Sequence, residues 1–213
     1  MTWKCNLCPR KCNVDRKNQL GLCGASTTIK IARAALHFWE EPCISGEKGS
    51  GTIFFSHCSL QCVFCQNYRL SHDHPLGEEI TISQFADICL DLQEQGANNI
   101  NLVTPTHYVP WIVEGIKLAK KRGLHLPIVY NTSAYESVET IRMLDGIVDI
   151  YLPDLKYFDD QYGILYSHAP NYFFYATEAI KEMVKQVGEP IFNEQGILQR
   201  GVIVRHLCLP GLK

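Results

Sequence analysis

The sequence predicts an α/β fold built on a parallel sheet, because short apolar runs alternate with amphipathic segments along most of its 213 residues. Five apolar runs are typical of buried strands, and they cover residues 51–56, 99–103, 128–131, 148–152 and 201–207. Segments with apolar residues at helical spacing separate most of these runs. Strands joined by helices of this length form parallel βαβ units with right-handed crossovers.

Local start and stop signals predict the helices. The first begins at a capping box formed by Thr81 and Gln84 and ends at Gly96. The second has Pro110 in its first turn and ends at Gly123, after a basic run that we interpret as a solvated helix end. A short helix follows the third strand and a long helix follows the fourth. The long helix is predicted to pack into the core through the stripe Phe173, Thr177, Ile180, Val184 and Val187.

Composition narrows the classes of function. The net charge of −2 gives no electrostatic preference for nucleic acid or an anionic membrane. No apolar run approaches the roughly 18–20 residues of a membrane span, and the first residues contain no apolar signal-peptide segment. Ten cysteines in a chain of this length indicate metal ligands and not a disulfide scaffold. We therefore predict a cytoplasmic protein that acts on neither nucleic acid nor membranes.

The most informative motif is a loop with three cysteines, Cys58, Cys62 and Cys65, which directly follows the first predicted strand. A tetrahedral structural zinc and an ordinary four-iron cluster each take four protein ligands. A cubane held by three cysteines therefore keeps one iron open for another ligand. Its position at the carboxyl end of a strand indicates a reactive centre. The alternatives are an adventitious set of buried cysteines and a zinc site completed by His57.

This C-x3-C-x2-C spacing, with Phe64 before the last cysteine, resembles the signature of the radical S-adenosylmethionine (radical SAM) superfamily. Residues 40–46, 65–68, 104–108 and 154–156 resemble the subgroup related to pyruvate formate-lyase activating enzymes, and the resemblance runs from about Cys5 to Gly211. It implies an incomplete parallel (β/α)6 barrel with a 4Fe–4S cluster on the three cysteines. It also implies that the amino and carboxylate groups of SAM bind the open iron, and that SAM is cleaved to methionine and a 5′-deoxyadenosyl radical.

The resemblance further implies SAM-binding residues at the ends of successive strands. Thr104 and Thr106 occupy the place of the family's glycine-rich motif, whose backbone carbonyls hold the SAM amino group, although the glycines are absent here. Asn131 and Thr132 match positions that hydrogen-bond the ribose hydroxyls or the amino group. The related activating enzymes carry an aspartate where this chain has Asn131.

Three charged residues complete the predicted SAM site. Asp154 and Lys156 follow the fourth predicted strand, and Arg205 lies on the fifth. By resemblance, Lys156 and Arg205 neutralise the SAM carboxylate, a charge-assisted pairing that suits an anion beside a cluster. The alternative is that Asp154 and Lys156 only pair with each other at a strand end.

A second cysteine group lies near the amino terminus. Its four candidate metal ligands are Cys5, Cys8, Cys12 and Cys23. Four thiolates could hold either a zinc ion or an auxiliary iron–sulfur cluster, and the alternative is a set of reduced thiols in a loose arm. Cys43 could take the place of Cys23. We interpret Cys89 and Cys208 as small core residues.

The remaining polar and aromatic candidates carry weaker expectations. His72, Asp73 and His74 have the chemistry of metal ligands, but their polar surroundings predict a solvated loop. His107 could face either the substrate or the core. Three tyrosines are candidates for lining the adenine or substrate pocket: Tyr68, Tyr108 and Tyr135.

We divide the chain into a cysteine-rich metal-binding segment, residues 1–46, and a radical SAM core barrel, residues 47–213. The family barrel has a sixth strand that would follow, so we expect either a fragment or a shortened natural protein with an open sheet edge.

The predicted function is reductive cleavage of SAM followed by hydrogen abstraction. By resemblance, the substrate is a backbone glycine of a partner protein of the glycyl-radical-enzyme type, and the electron donor is a flavodoxin or ferredoxin. The alternatives are a radical SAM enzyme that acts on a small molecule or another protein residue, an iron–sulfur or zinc protein that uses no SAM, and an inactive shortened relative.

Overall fold

The computed structural model describes residues 4–72 and 75–210. Its strands are β1 (Ile29–His37), β2 (Ser50–Phe55), β3 (Glu78–Ile80), β4 (Ile100–Val103), β5 (Ile128–Thr132), β6 (Ile150–Pro153), β7 (Ile191–Phe192) and β8 (Leu198–Val202). Its helices are α1 (Pro42–Ser45), α2 (Tyr68–Ser71), α3 (Ile82–Glu94), α4 (Val109–Lys121), α5 (Val138–Arg142), α6 (Asp160–Ser167) and α7 (Tyr172–Val187). A 3-10 turn, Thr106–Tyr108, precedes α4. None of these helices combines the length and the apolar character that a membrane crossing requires.

The strands of the described residues form one sheet in the order β3-β1-β2-β4-β5-β6-β8-β7. The central strands β2, β4, β5, β6 and β8 pair in parallel. The prediction of an α/β protein with about five parallel strands is therefore confirmed, and the sheet is consistent with a partial barrel. The antiparallel strands β1, β3 and β7 at the two ends of the sheet were not predicted.

The two faces of the sheet have different neighbours. Ile53, Leu102 and Tyr130 pack against α3 and α4, in the largest buried cluster. On the opposite face, Val129 and Leu152 belong to a smaller apolar cluster inside the partial barrel. Side chains alternate between faces along a strand. Asn131 lies two residues after Val129 on the same strand, so it belongs to the same interior face, at the carboxyl end of the sheet.

Helix α3 begins as the sequence predicts. The Thr81 hydroxyl accepts a hydrogen bond from the Gln84 N–H at 3.2 Å, and the Thr81 N–H donates to Gln84 Oε1 at 2.9 Å. Helices α3 and α4 approach closely at Gly115, where an added β-carbon would lie 2.4 Å from a ring carbon of Phe85. A glycine at this position lets the two helices pack at short range over the sheet.

Helix α7 also forms, but the predicted core stripe is only partly correct. Of that stripe Val187 is buried and Ile180 packs half-buried against the core, whereas Val184 is 47 % exposed. The buried face lies about one position away along the helix and consists of Tyr172, Ala176, Ala179, Met183 and Val187. Small alanines make this face less visible in a hydrophobic pattern than the larger residues beside it.

The last strand is displaced from its predicted range. Strand β8 ends at Val202, and parallel pairing with β6 resumes only at a single bridge between Asp154 and Arg205. The bridge keeps the register in which Tyr151 faces Val202, so Arg205 still lies beside the end of β6. Cys208, predicted as a core residue, is exposed, because regular pairing has ended before it. Cys89 is buried, as predicted.

Candidate functional site

The loop that connects β2 to α2 carries Cys58, Cys62 and Cys65. Positive φ angles at His57 (74°) and Gln61 (60°) turn the backbone sharply around the first two cysteines. The Leu60 N–H donates to Cys58 Sγ at 3.4 Å. The three cysteines therefore lie in one tight loop at the carboxyl end of a central parallel strand.

One side of this loop packs against a buried aromatic cluster. Cys62 is buried in a cluster with Leu60, Tyr157 and Tyr172, and Cys58 and Cys65 pack against the same cluster. Burial raises the pKa of the Cys58 thiol to about 11. Burial also raises the pKa of Cys62, and the nearby Lys156 ammonium opposes that rise. Metal binding must displace the thiol protons here, and a cation beside Cys62 favours the resulting thiolate.

Two hydrogen-bonding groups lie at the sulfurs of this loop. Cys65 Sγ lies 3.3 Å from the Ser71 hydroxyl, and Cys58 Sγ accepts the N–H of Leu60. Hydrogen bonds to cluster sulfurs and exclusion of solvent are the means by which a protein tunes an iron–sulfur cluster. Within residues 4–72 and 75–210, no group of three or more His, Cys, Asp or Glu side chains is arranged to hold a metal ion. The ligand roles of these cysteines stay predictions.

Asp154 joins the two cations of the predicted SAM site. Its Oδ2 accepts a hydrogen bond from Lys156 Nζ at 2.8 Å, and its Oδ1 lies 2.8 Å from Arg205 Nε in an ion pair. Arg205 Nη2 donates to Asn131 Oδ1 at 2.5 Å. Four predicted residues thus form one network at the carboxyl ends of β5 and β6. The pairing of Asp154 with Lys156 that we gave as an alternative is present.

Two glutamates that the sequence analysis did not select belong to the same network. Arg205 Nη1 lies 3.4 Å from Glu40 Oε2 and 3.6 Å from Glu41 Oε1. Burial raises the pKa of Glu40, and the charge of Arg205 opposes that rise. The other Glu41 oxygen, Oε2, is buried and has no hydrogen-bond partner. An unpaired carboxylate oxygen beside the Arg205 guanidinium fits a ligand that carries both an amino group and a carboxylate, as SAM does.

Thr106 and Thr132 meet at Glu136, which the sequence analysis also missed. The fully buried Glu136 Oε1 accepts from the hydroxyls of Thr106 at 2.6 Å and Tyr130 at 3.3 Å, and from Thr132. Burial raises the pKa of Glu136 to about 7, although these hydroxyls oppose the rise. The hydroxyls of Thr106 and Thr132 therefore both donate to the Glu136 carboxyl group. Thr104, the other predicted threonine, is half-buried. The available signal was the single acidic residue in segment 133–137.

The four cysteines of the amino-terminal group line one cavity of about 20 Å³. Its cysteines are Cys5, Cys8, Cys12 and Cys23. Backbone hydrogen bonds fold this segment without regular helices or strands, for example Cys5 N–H to Val14 O at 2.8 Å and Lys11 N–H to Cys8 O at 3.0 Å. Cys43 does not line the cavity and packs in α1 against the interior apolar cluster. The structure brings together the predicted set of four, and its metal binding stays a prediction.

The histidine candidates have mostly structural surroundings. His107 is buried, its Nε2 lies 2.8 Å from Ser56 O, and burial lowers its pKa to about 3. His107 therefore stays neutral near pH 7. Of the two alternatives, its burial favours a role in the core. His72 follows α2 and is half-buried. Asp73 and His74 lie outside the described residues.

The three tyrosines that we predicted at the pocket are in different places. Tyr68 is 55 % exposed and stacks on His72 with 4.4 Å between ring centroids. Tyr108 is fully buried in the helix-facing core. Tyr135 packs in the cluster below the cysteine loop, and its hydroxyl donates to Pro170 O at 2.9 Å. Their role in lining a ligand pocket stays a prediction.

Comparison with known proteins adds two findings. The family model of the radical SAM superfamily matches residues 52–195, which run from within β2 through β7 and include the cysteine loop. An uncharacterized protein of Methanocaldococcus jannaschii is 29 % identical over 218 residues, and the alignment covers 97 % of this chain. The chain spans 57 % of that relative's length.

Proposed function

The chain belongs to the radical SAM superfamily, and we propose that it reductively cleaves SAM to a 5′-deoxyadenosyl radical that abstracts a hydrogen atom from a substrate. The observation that carries this proposal is the loop with Cys58, Cys62 and Cys65. It supplies three thiols at the carboxyl end of a central parallel strand, with a buried aromatic cluster and a cation beside it. Three thiolates leave one iron of a cubane for a further ligand.

The chain's own residues are proposed to bind SAM, orient it and shield it from water. When bound, the cluster supplies the electron that SAM cleavage requires. Lys156 and Arg205 are proposed to hold the SAM carboxylate, since both already converge on the carboxylate of Asp154. Asn131 orients Arg205 through its side-chain oxygen. Glu41, with its unpaired buried oxygen, is suited to accept a hydrogen bond from an ammonium group.

Backbone groups of Thr104 and Thr106, and Thr132 beside them, are proposed to complete the site by positioning the SAM amino group and ribose. Glu136 supports that role indirectly, because it fixes the hydroxyls of Thr106 and Thr132 behind the strand ends. A site whose first contacts are held by buried partners loses less entropy when a ligand binds.

The proposed substrate is a backbone glycine in a partner protein, and the proposed electron donor is a flavodoxin or ferredoxin. Residues 40–46, 104–108 and 154–156, which resemble activating enzymes, support this choice. We also propose that the amino-terminal cysteines bind a metal, either zinc or an iron–sulfur cluster. Their convergence on one cavity supports that part.

Anaerobic reconstitution with iron and sulfide, followed by reduction in the presence of SAM, tests the reaction. We expect 5′-deoxyadenosine from the wild type and none from Cys58→Ala, Cys62→Ala or Cys65→Ala. Cys208→Ser is the matched control, because Cys208 is exposed. Cluster formation without 5′-deoxyadenosine would favour an electron carrier or an inactive relative. Cleavage retained in all three alanine variants would remove the assignment of the loop.

Isotope transfer tests the substrate class. The reduced enzyme and SAM are incubated with the macromolecular fraction of cells grown on α-deuterated glycine, and the 5′-deoxyadenosine is analysed by mass spectrometry. Deuterium in the nucleoside supports abstraction from a protein glycine. Deuterium only with the small-molecule fraction would instead indicate a small-molecule substrate.

A further inference from the structure

The cysteine loop holds two residues in a backbone conformation that residues other than glycine rarely adopt. The φ angles of His57 and Gln61 are 74° and 60°, in the left-handed region. Such a conformation persists only where the surrounding structure fixes it. The loop therefore needs partners that hold its backbone in place.

Arg10 supplies partners for the stretch between these two residues. Its Nε donates to Ser59 O at 3.0 Å, and its Nη2 donates to Leu60 O at 3.2 Å. Ser59 and Leu60 are both buried, and a buried carbonyl without a hydrogen bond is costly. The guanidinium of Arg10 thus stabilises the backbone between His57 and Gln61.

The same guanidinium bonds to the end of α6. Its Nη2 donates to Ser167 O at 3.0 Å, and its Nη1 donates to His168 O. A cation is favoured at the last carbonyls of a helix. The Val63 N–H donates to Tyr166 O at 2.8 Å, so the loop and α6 are also in direct contact. Arg10 therefore joins four carbonyls on two elements.

An aromatic stack holds the Arg10 side chain in place. Its guanidinium carbon lies 5.3 Å from the centre of the Tyr135 ring, and Tyr135 stacks on Tyr172 with 5.9 Å between ring centroids. Both tyrosines belong to the buried cluster against which Cys58 and Cys65 pack. A guanidinium fixed by a ring and by four carbonyls is already in position to hold the loop.

The two left-handed residues also meet the amino-terminal segment directly. Gln61 Nε2 donates to Leu22 O at 3.2 Å. A β-carbon added to Gly24 would lie 3.1 Å from Nδ1 of His57, so the His57 ring lies against this glycine. The amino-terminal segment thus contacts the loop at both strained residues and, through Arg10, at the stretch between them.

We propose that residues 10–24 form a clamp that holds the loop of Cys58, Cys62 and Cys65 in the conformation that receives the cluster, with Arg10 as the positioning residue. This inference rests on the proposed function for the cysteine loop. The role requires the planar fork of the guanidinium and not only its charge, because the four carbonyls lie on two elements.

Thiol alkylation of the full chain, after removal of metal with a chelator, tests the clamp. Arg10→Lys keeps the charge but loses the fork, and Lys17→Gln is the control that alters an exposed cation of the same segment. We expect the buried Cys62 to react with iodoacetamide roughly tenfold faster in Arg10→Lys and at the wild-type rate in Lys17→Gln. Cys89, buried in α3, should react at the wild-type rate in both variants. An unchanged rate at Cys62 in Arg10→Lys would overturn the proposal, and so would equal acceleration at Cys62 and Cys89, which would show global unfolding.

The reconstituted enzyme gives a second measurement. We expect the reduced wild type and Lys17→Gln to show one paramagnetic signal with SAM, and Arg10→Lys to show a mixture of signals, because its loop takes more than one conformation. One wild-type signal in Arg10→Lys would contradict the clamp. A wild type whose signal does not respond to SAM would count against the proposed function, whereas the reactivity of Cys62 would still decide the clamp.

Hydrogen exchange of the wild type keeps the proposal testable if Arg10→Lys does not fold. The backbone amides of Leu60 and Val63 lie outside helices and strands, but a clamped loop should protect them. We expect them to exchange at least roughly tenfold more slowly than the amide of the exposed Asn6. Equal exchange rates would overturn the clamp.

Discussion

Lys156 and Asp154 form an ion pair at the mouth of the partial barrel, with 14 % and 27 % of their side chains exposed. A ligand carboxylate that arrives there must share Lys156 with Asp154. Each hydrogen bond to a charged group is worth about 1.5–3 kcal/mol. Lys156→Ala should therefore weaken SAM binding by roughly tenfold to a hundredfold while the iron content stays unchanged.

Anaerobic titration of SAM, followed by the spectral change of the cluster, would measure this effect. Lys181→Ala is the matched control, because among the described residues Lys181 pairs with Glu178 on the exposed side of α7. Wild-type affinity in Lys156→Ala would show that the SAM carboxylate is held elsewhere. Arg205 is a poorer test, since its removal also leaves Glu40 and Glu41 without their cation.

The buried Glu136 carboxyl should make the free energy of unfolding depend on pH. Its pKa is raised from 4.5 to about 7, so the unfolded chain loses this proton at lower pH than the folded protein does. The stabilisation is complete below about pH 4.5 and is lost as pH rises to about 7, by about 3 kcal/mol in all. Glu136→Gln, which cannot ionise, should be less sensitive to pH across this window. Urea denaturation at pH 5.5 and pH 8 would check it, and an equal pH dependence in both proteins would contradict the assignment.

At the residue scale, the sequence predicted the cysteines and four members of the Asp154 network by local motif. It did not predict Glu40, Glu136 or Arg10. Glu40 meets Arg205 across 165 positions, and Arg10 meets Ser59 across 49. Such contacts are set by the order of strands and not by local spacing, so a motif cannot reveal them.

Helices α3 and α4 are in close contact at Gly115. Gly115→Ala adds a methyl group that would lie 2.4 Å from Phe85 in α3. Overpacking of a core typically costs about 1–3 kcal/mol, whereas the better helix propensity of alanine returns up to about 1 kcal/mol. We expect a net loss in the free energy of unfolding, measured by urea denaturation. Lys117→Ala on the exposed side of α4 is the control, and a Gly115→Ala protein as stable as the control would refute the close contact.

The elements that the sequence predicted well have strong local signals. The capping box of α3 and the five parallel strands were found because caps and continuous apolar runs are visible within a few residues. In strand β1, Ile29–His37, only Ile29 and Ile31 are buried, so the strand lacks a continuous buried apolar run. Strand β7 has two residues. Antiparallel end strands of this kind depend on pairing with a neighbour more than on their own composition.

The whole molecule combines a sheet with extensive core packing and an amino-terminal segment of a different kind. Residues 4–26 contain no helix or strand and are held by local backbone hydrogen bonds and by the side chains of Arg10 and Arg16. The segment boundary at residue 46 stays a prediction. Strand β1 lies within residues 1–46 and pairs with β2, so it is part of the sheet.

Because the amino-terminal segment lacks helices and strands, we expect a protease to cut it before the sheet. Serine at positions 5, 8, 12 and 23 removes the proposed metal but leaves the core packing of the sheet intact. Trypsin should therefore cut first at the exposed Lys11 and Lys17, and a fragment that begins after Lys17 should persist. Cys208→Ser, with its metal ligands intact, should resist cleavage at these sites as the wild type does. Mass spectrometry of the fragments over time would decide. Equal cleavage of the variant and the wild type would mean that Arg10 and Arg16 hold the segment without help. Simultaneous loss of the fragment would mean that the sheet itself depends on the amino-terminal cysteines.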